Sequence, residues 1–382
     1  MTKFNRRSFL MGSTALAGAM PALAGASMSL PKGGISPPQY GPTPGVAKLN
    51  ANENPYGPSP AALRAVMEAT RHGAYYVGDS VVRLKAMIAE KHGLTPEHIL
   101  LGAGSSGVLT YLAVEASKRG KIVAPDLYWD TTTRMGINQS GGDMIRLPKT
   151  KDLGINLSDM EAAVDEGVSM VHVTNPNNPT GVLLPADKLT AFCKTVAKKA
   201  TVLVDEAYNE VTDDPDANTM VPLIKAGHDV VVARTFSKIY GLAGMRVGYL
   251  LGTPERIAEV KTYSIGDYAL NQAGLAAAVA SFEDEEFLAY SKANIVAGRE
   301  MISDALATNG VNALPSHTNF MFVDLGKGNA EMFRQAMESQ GVLIRGIYRD
   351  YTPWSRVSMG LMEDVAKYVA ALPVALDAIN YS

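Results

Sequence analysis

The chain is poor in cysteine and tryptophan, and it has no surplus of charge of either sign. Its 382 residues include one cysteine, Cys193, and two tryptophans. A single cysteine cannot close an intrachain disulfide, nor can it build a CxxC zinc or redox motif. The six histidines are scattered and none forms HExxH, which argues against a histidine-built metal centre. Cys193 and His172 read as core residues. Lys and Arg total 35 against 38 Asp and Glu, for a net charge of −3. That balance provides no electrostatic footprint for nucleic acid and no polybasic membrane patch. What remains is ordinary for a globular enzyme: 47% hydrophobic and 19% charged residues. At roughly 100–200 residues per domain, the length suits two or three domains.

The N-terminus stands apart. Asn5-Arg6-Arg7-Ser8-Phe9-Leu10 opens a stretch with no further charge until Lys32. Gly12, Gly18, Pro21, Gly25 and many alanines leave it only mildly apolar for a membrane span. Ala22-Leu23-Ala24 is a small-x-small cleavage signature. The pattern resembles a twin-arginine export signal. It implies that residues 1–26 are a signal peptide read by export machinery, with the mature protein in the periplasm. An uncleaved signal, anchoring the chain to the membrane, is the alternative.

Residues 27–60 are rich in Pro and Gly and read as an extended arm, closing at Ser59-Pro60, an N-cap with proline at the first helical position. Short apolar runs then alternate with helical stretches: Ile99–Leu101, Lys121–Ala124, Met170–Val173, Thr201–Val204, Val230–Ala233 and Val247–Leu251. They are continuous rather than alternating, as strands covered on both faces are. One helix is expected to start at Ser158, with Glu161 completing a capping box. The alternation predicts an α/β large domain over 61–284 with a doubly wound, mostly parallel sheet. Near 285 the pattern changes to a long helix (285–308), strands near 318–324, 342–345 and 355–359, and a final helix. This predicts a smaller α+β domain over 285–382.

Gly102-Ala103-Gly104-Ser105-Ser106-Gly107 is a literal GxGxxG after a strand and before a helix, and Asp126 follows Gly107 by nineteen residues. On spacing alone this is a dinucleotide fingerprint, which would make the chain an NAD-dependent dehydrogenase. The loop itself says only that a phosphate is welcome at a helix N-terminus.

Stronger chemistry lies downstream. Asn175-Pro176-Asn177-Asn178-Pro179-Thr180-Gly181, Asp205-Glu206-Ala207-Tyr208, and Ser237-Lys238 with Arg246 all fall after strand C-terminal ends, where open α/β sheets bind ligands. A lysine can form an imine with an aldehyde. A strand-end aspartate can hold a protonated ring nitrogen. A tyrosine and an asparagine can hydrogen-bond a phenolate oxygen, and an arginine with hydroxyls at a helix N-terminus can hold a phosphate. Pyridoxal 5'-phosphate has all four features.

At these residues the chain resembles the fold-type I, class I/II pyridoxal-phosphate aminotransferases, and within them the histidinol-phosphate aminotransferase family. The resemblance runs from Leu49-Asn50-Ala51-Asn52-Glu53-Asn54-Pro55-Tyr56-Gly57 through the segments above to Gly244-Met245-Arg246-Val247-Gly248, Arg345 and Arg356. It implies a seven-stranded sheet and a homodimer with shared active sites. It implies that Lys238 bonds the cofactor's aldehyde and moves the proton, that Asp205 pairs with the ring nitrogen, and that Asn178 and Tyr208 contact the ring oxygen. Tyr128 would stack on the ring. Gly104, Ser105, Ser106, Thr235, Ser237 and Arg246 would hold the phosphate, joined by Tyr76 reaching the partner subunit's cofactor. Arg356, Arg345 and Asn52 would face the substrate, an amino donor and then a 2-oxo acid acceptor. Departures from the family pattern at Ser106-Gly107, Tyr75-Tyr76-Val77 and around Tyr128 and Arg356 touch substrate and phosphate contacts more than the central chemistry. The donor is therefore expected to be histidinol-phosphate-like or aromatic. The same cofactor and fold also serve lyases, racemases and decarboxylases, and the sequence does not separate these from a transaminase.

Overall fold

The computed structural model describes residues 40–379. The expected signal, residues 1–26, lies outside them, as do residues 27–39 of the arm. From Pro44 onward the described residues form one compact unit, treated below.

Twelve strands occur among the described residues: β1 (Ala47–Lys48), β2 (Ile99–Ala103), β3 (Lys121–Pro125), β4 (Met144–Leu147), β5 (Val168–Thr174), β6 (Thr201–Asp205), β7 (Val230–Thr235), β8 (Val247–Leu251), β9 (Asn312–Ala313), β10 (Phe320–Asp324), β11 (Val342–Leu343) and β12 (Trp354–Ser358). Seven of them make one sheet in the order β2-β8-β7-β6-β5-β3-β4. Only β8 runs against its neighbours β2 and β7; the β7-β6-β5-β3-β4 stretch is parallel. Every residue of β5, β6, β7 and β8 is buried. This explains their largely apolar runs, since both faces are covered. Each such side chain contributes roughly 1.5–3 kcal/mol through burial.

Two local expectations are corrected. The helix over 157–162 is capped by Asn156, not Ser158: the Asn156 side-chain oxygen accepts from the backbone N–H of Ser158 and Asp159. Asparagine caps as well as serine, and here it sits one residue before the first helical turn. Strand β4 was not expected; it is an edge strand, half-buried throughout and containing Arg146, so it lacks an apolar run.

The GxGxxG reading is corrected too. Strand β2 and the helix Gly104–Arg119 form as expected. The next strand in the chain, β3, lies five places away across the sheet, beyond β8, β7, β6 and β5. A dinucleotide-binding unit needs those two strands side by side. Asp126 is engaged elsewhere, by Arg349 and Tyr351.

A three-stranded antiparallel sheet, β12-β10-β9, follows the helix Glu285–Thr308. The N-terminal segment is stitched to it: β1 pairs in parallel with β11, and Ser358 N–H donates to the Leu49 carbonyl at 2.9 Å. Chain segments distant in sequence thereby meet over the C-terminal ends of the parallel strands.

Candidate active site

A cavity of about 500 Å³ opens there. Its floor comes from strand ends: Thr174 and Asn178 after β5, Asp205 and Tyr208 at and after β6, Thr235 to Lys238 at and after β7. Ser105 and Ser106 begin the helix after β2, and Tyr128 follows β3. The roof comes from Asn50–Glu53 and from the hairpin bearing Arg345, Tyr348, Arg349 and Arg356.

At the centre, Lys238 Nζ donates to the Asn52 carbonyl at 2.9 Å and sits 5.5 Å from the Tyr208 ring centroid. Burial, then the nearby Arg356 charge, pull its ammonium pKa down to about 8, against the attraction of Asp205. Burial pushes the Asp205 carboxyl up to about 7, opposed by the Ala207 N–H and by Lys238. Among the described residues, that N–H at 3.2 Å is the one hydrogen bond the carboxylate receives. The Tyr208 phenol is pushed up to about 12, mainly by burial. Its oxygen accepts from Asn52 Nδ2 at 2.8 Å and from Asn178 Nδ2 at 3.3 Å. With both lone pairs engaged, the hydroxyl proton is free to donate to an oxygen in the cavity.

One end of the cavity is built for an anion. The helix Gly104–Arg119 starts with no side-chain cap, so its first N–H groups are available. Arg246 lies over it, bonded only to neutral oxygens: Ala243 O at 3.0 Å, Ala103 O at 3.3 Å and Ser237 Oγ at 3.4 Å. Thr235 and Ser237 add hydroxyls 2.9 Å apart. Gly104 has φ +72°, and a Cβ there would come within 2.3 Å of Arg246 Nη2. Glycine is thus required for the arginine to reach its place.

The other end is also cationic. Arg356 is 6% exposed and, among the described residues, has no carboxylate partner. It donates to Asn178 Oδ1 at 2.9 Å and Asn50 O at 3.4 Å, and its Nε has no acceptor. Tyr348 neighbours both it and Arg345, with the two guanidinium carbons 5.2 and 5.3 Å from the ring centroid.

Most of the residues singled out from sequence therefore line one cavity. Three depart from the simplest picture. Gly104 makes room for Arg246 instead of lining the cavity. Asn52 uses its amide internally, on Tyr208 and on Ser358 Oγ at 2.7 Å. Tyr76 is 82% exposed, outside this cavity, edge-on to Tyr268 at 5.4 Å. Arg134, Asp130, Thr174 and Arg349 line the cavity without having been singled out. Asp130 and Arg134 form an i,i+4 pair, which in sequence looks like an ordinary surface helix. Thr174 had a signal, since it immediately precedes the asparagine-proline segment.

A family model described as "Aminotransferase class I and II" matches residues 44–372. The chain belongs to this family of aminotransferases. The histidinol-phosphate aminotransferase 2 of Nitrosospira multiformis is 35% identical over 87% of this chain and 84% of its own. The aromatic amino acid aminotransferase of Thermobifida fusca is 33% identical over 90% of this chain and 94% of its own. The histidinol-phosphate aminotransferase of Sinorhizobium meliloti, solved with pyridoxal-5'-phosphate, superposes with a TM-score of 0.78 at 29% identity, over 87% of this chain and 91% of that one. The aminotransferase uses pyridoxal 5'-phosphate and carries out transamination. The cavity fits that cofactor on its own features: a helix N-terminus without a cap, an arginine without an acid, a phenol free to donate, and a strand-end carboxyl with room for a ring N–H.

Proposed function

We propose that this aminotransferase takes its amino group from an anionic donor carrying a flat ring, of the histidinol-phosphate or aromatic amino acid type, and passes it to a 2-oxo acid. The observation that carries the reading is Arg356. A buried guanidinium with no acid and an unpaired Nε is costly for a folded protein, and a bidentate anion relieves that cost. Tyr348 beside it provides an aromatic wall, which favours a ring over a short aliphatic side chain.

The bound cofactor supplies the electron sink that makes a Cα–H acidic. The chain supplies the rest. Arg356, with Arg345 nearby against Tyr348, orients the donor. Lys238 Nζ, with its ammonium pKa held near 8 by burial and Arg356, is in reach of being neutral and of taking and returning a proton. Asp205 keeps the ring nitrogen protonated. Tyr208 and Asn178 would hold the bound ring through its oxygen, and Tyr128 would pack beside it. Ser105, Ser106, Thr235, Ser237 and Arg246 hold the phosphate.

The same proposal includes a two-lobed enzyme (61–284 and 285–382) acting as a homodimer. Exposed Tyr76 would then serve the partner subunit's phosphate. It also includes an export signal over 1–26 and a periplasmic site of action. Fractionation of cells expressing wild type and an Arg6→Lys, Arg7→Lys variant tests the export reading: retention of the wild type in the cytoplasm would end it.

The test of the substrate reading is the cofactor's absorption band, followed as histidinol phosphate, phenylalanine, tyrosine and glutamate are added singly. Collapse of the band with a ring-bearing anionic donor at the lowest concentration is expected. Collapse with glutamate alone would overturn the reading.

A further inference from the structure

Asp126, the acid that the dinucleotide reading would have placed on a ribose, has a different set of partners. Its carboxylate accepts from Arg349 Nη1 at 2.7 Å through Oδ1 and from the Tyr351 hydroxyl through Oδ2. Its carbonyl accepts from the same Arg349 Nη1 at 2.6 Å and from Arg146 Nη1 at 3.1 Å. Asp126 closes β3, two residues before Tyr128. Arg349 and Tyr351 belong to the hairpin between β11 and β12, more than 220 residues away.

This hairpin is the part of the roof that carries Arg345 and Tyr348. Two pairings hold its own shape: Arg345 opposite Arg356 and Tyr348 opposite Tyr351. At its turn Arg349 takes φ +48°, a conformation that an arginine adopts at a cost of roughly 1–2 kcal/mol. That cost is offset by what the conformation achieves, a guanidinium aimed at Asp126. Lys149 adds a second grip from the same side, its Nζ 4.0 Å from the Tyr351 ring centroid. The hairpin is therefore clasped to the end of β3 by Asp126, and the clasp fixes Tyr348 in its place beside the two arginines.

We propose that Asp126 is a positioning residue for donor selection: by clasping Arg349 and Tyr351 it holds Tyr348 as the wall that recognises the donor's ring. The inference deepens the substrate reading above and rests on it. Asp126 touches no part of the central cluster formed by Lys238, Asp205 and Tyr208. Its loss should release the wall and leave the cofactor's own contacts in place.

The experiment uses the cofactor-loaded enzyme with a ring-bearing donor (histidinol phosphate or phenylalanine, whichever the wild type prefers) and with glutamate. Asp126→Ala should raise KM for the ring-bearing donor about tenfold, the scale of one charge-assisted hydrogen bond, and change kcat less than about twofold. KM for glutamate should change little, so the preference ratio falls. Tyr351→Phe, which removes one hydroxyl and should fold normally, is expected to reproduce part of the shift. Asp126→Asn, which keeps an acceptor, should restore much of it. An equal loss for all donors, a loss confined to kcat, or a weakened cofactor band would make Asp126 structural only and overturn the inference. If the wild type shows no preference for a ring, the substrate reading fails. If it does and the variants keep its preference, only the clasp fails.

Discussion

Two buried arginines with opposite surroundings give the sharpest prediction. Arg234 is 4% exposed and bonded to Glu206 at 2.7 Å and Glu210 at 2.8 Å. Arg356 is 6% exposed and bonded to no acid. Replacing each by Met should have opposite consequences. Arg234→Met strands two buried or half-buried carboxylates, a loss of about 3–5 kcal/mol. Arg356→Met forfeits two hydrogen bonds to neutral oxygens, about 1 kcal/mol each, and removes an unsatisfied buried Nε–H, which returns about 1–3 kcal/mol. The sum is near zero, so the cofactor-free protein should melt within a few degrees of wild type. Its kcat/KM for an anionic donor should nonetheless fall about 30-fold to several thousandfold, the 2–5 kcal/mol lost when one member of a buried charge pair is removed. Thermal midpoints of the cofactor-free proteins, with kcat/KM of the loaded ones, check both halves. If Arg356→Met were as unstable as Arg234→Met, or lost less than about tenfold in kcat/KM, Arg356 would be a structural residue and the reasoning would fail.

Other outcomes follow from the same geometry. Lys238→Ala should abolish transamination and the covalent cofactor band while leaving the circular dichroism spectrum unchanged; a retained band would place the covalent link elsewhere. Asp205 is raised by burial from 3.8 to about 7 without cofactor. A raised acid stabilises the fold below its unfolded pKa and loses that contribution as pH rises through the folded one. The cofactor-free wild type should thus lose on the order of 4 kcal/mol relative to Asp205→Asn between pH 4 and 7, and parallel melting curves across that range would refute the assignment. Gly104→Ala should displace Arg246 and weaken cofactor binding at least tenfold, since the new Cβ meets Nη2 at 2.3 Å; equilibrium titration with pyridoxal phosphate measures this.

The central sheet was legible because fully buried strands are largely apolar: β6, β7 and β8 hold the runs Val202-Leu203-Val204, Val230-Val231-Val232-Ala233 and Tyr249-Leu250-Leu251. Direction was not legible. The run Val247–Leu251 looks like its parallel neighbours, and only the short connection through Arg246 turns it antiparallel. Strand β4 escaped notice because an edge strand tolerates Arg146. In the site, the residues at strand ends could be read because each has a chemical purpose that few other side chains serve. Arg134 could not, because its i,i+4 pair with Asp130 looks like an ordinary surface helix, and the meeting of Arg349 with Asp126 could not, because sequence distance conceals it. Asp126 and Arg349 are 223 residues apart. Gly102–Gly107 shows the converse, a motif whose local geometry formed as expected while the strand order around it excluded the dinucleotide meaning.

The stitching of the N-terminal segment to the far end of the chain bears on when activity can arise during synthesis. Asn52 touches Tyr208, Lys238 and Ser358, residues separated by up to 306 positions. A nascent chain that has emerged as far as Leu251 has all seven strands of the main sheet, the nucleophile and this chain's phosphate cradle, yet lacks Arg356 and the serine that orients Asn52. The pocket is therefore completed only after synthesis has passed Ser358, and until then the growing chain has no finished site with which to engage a donor.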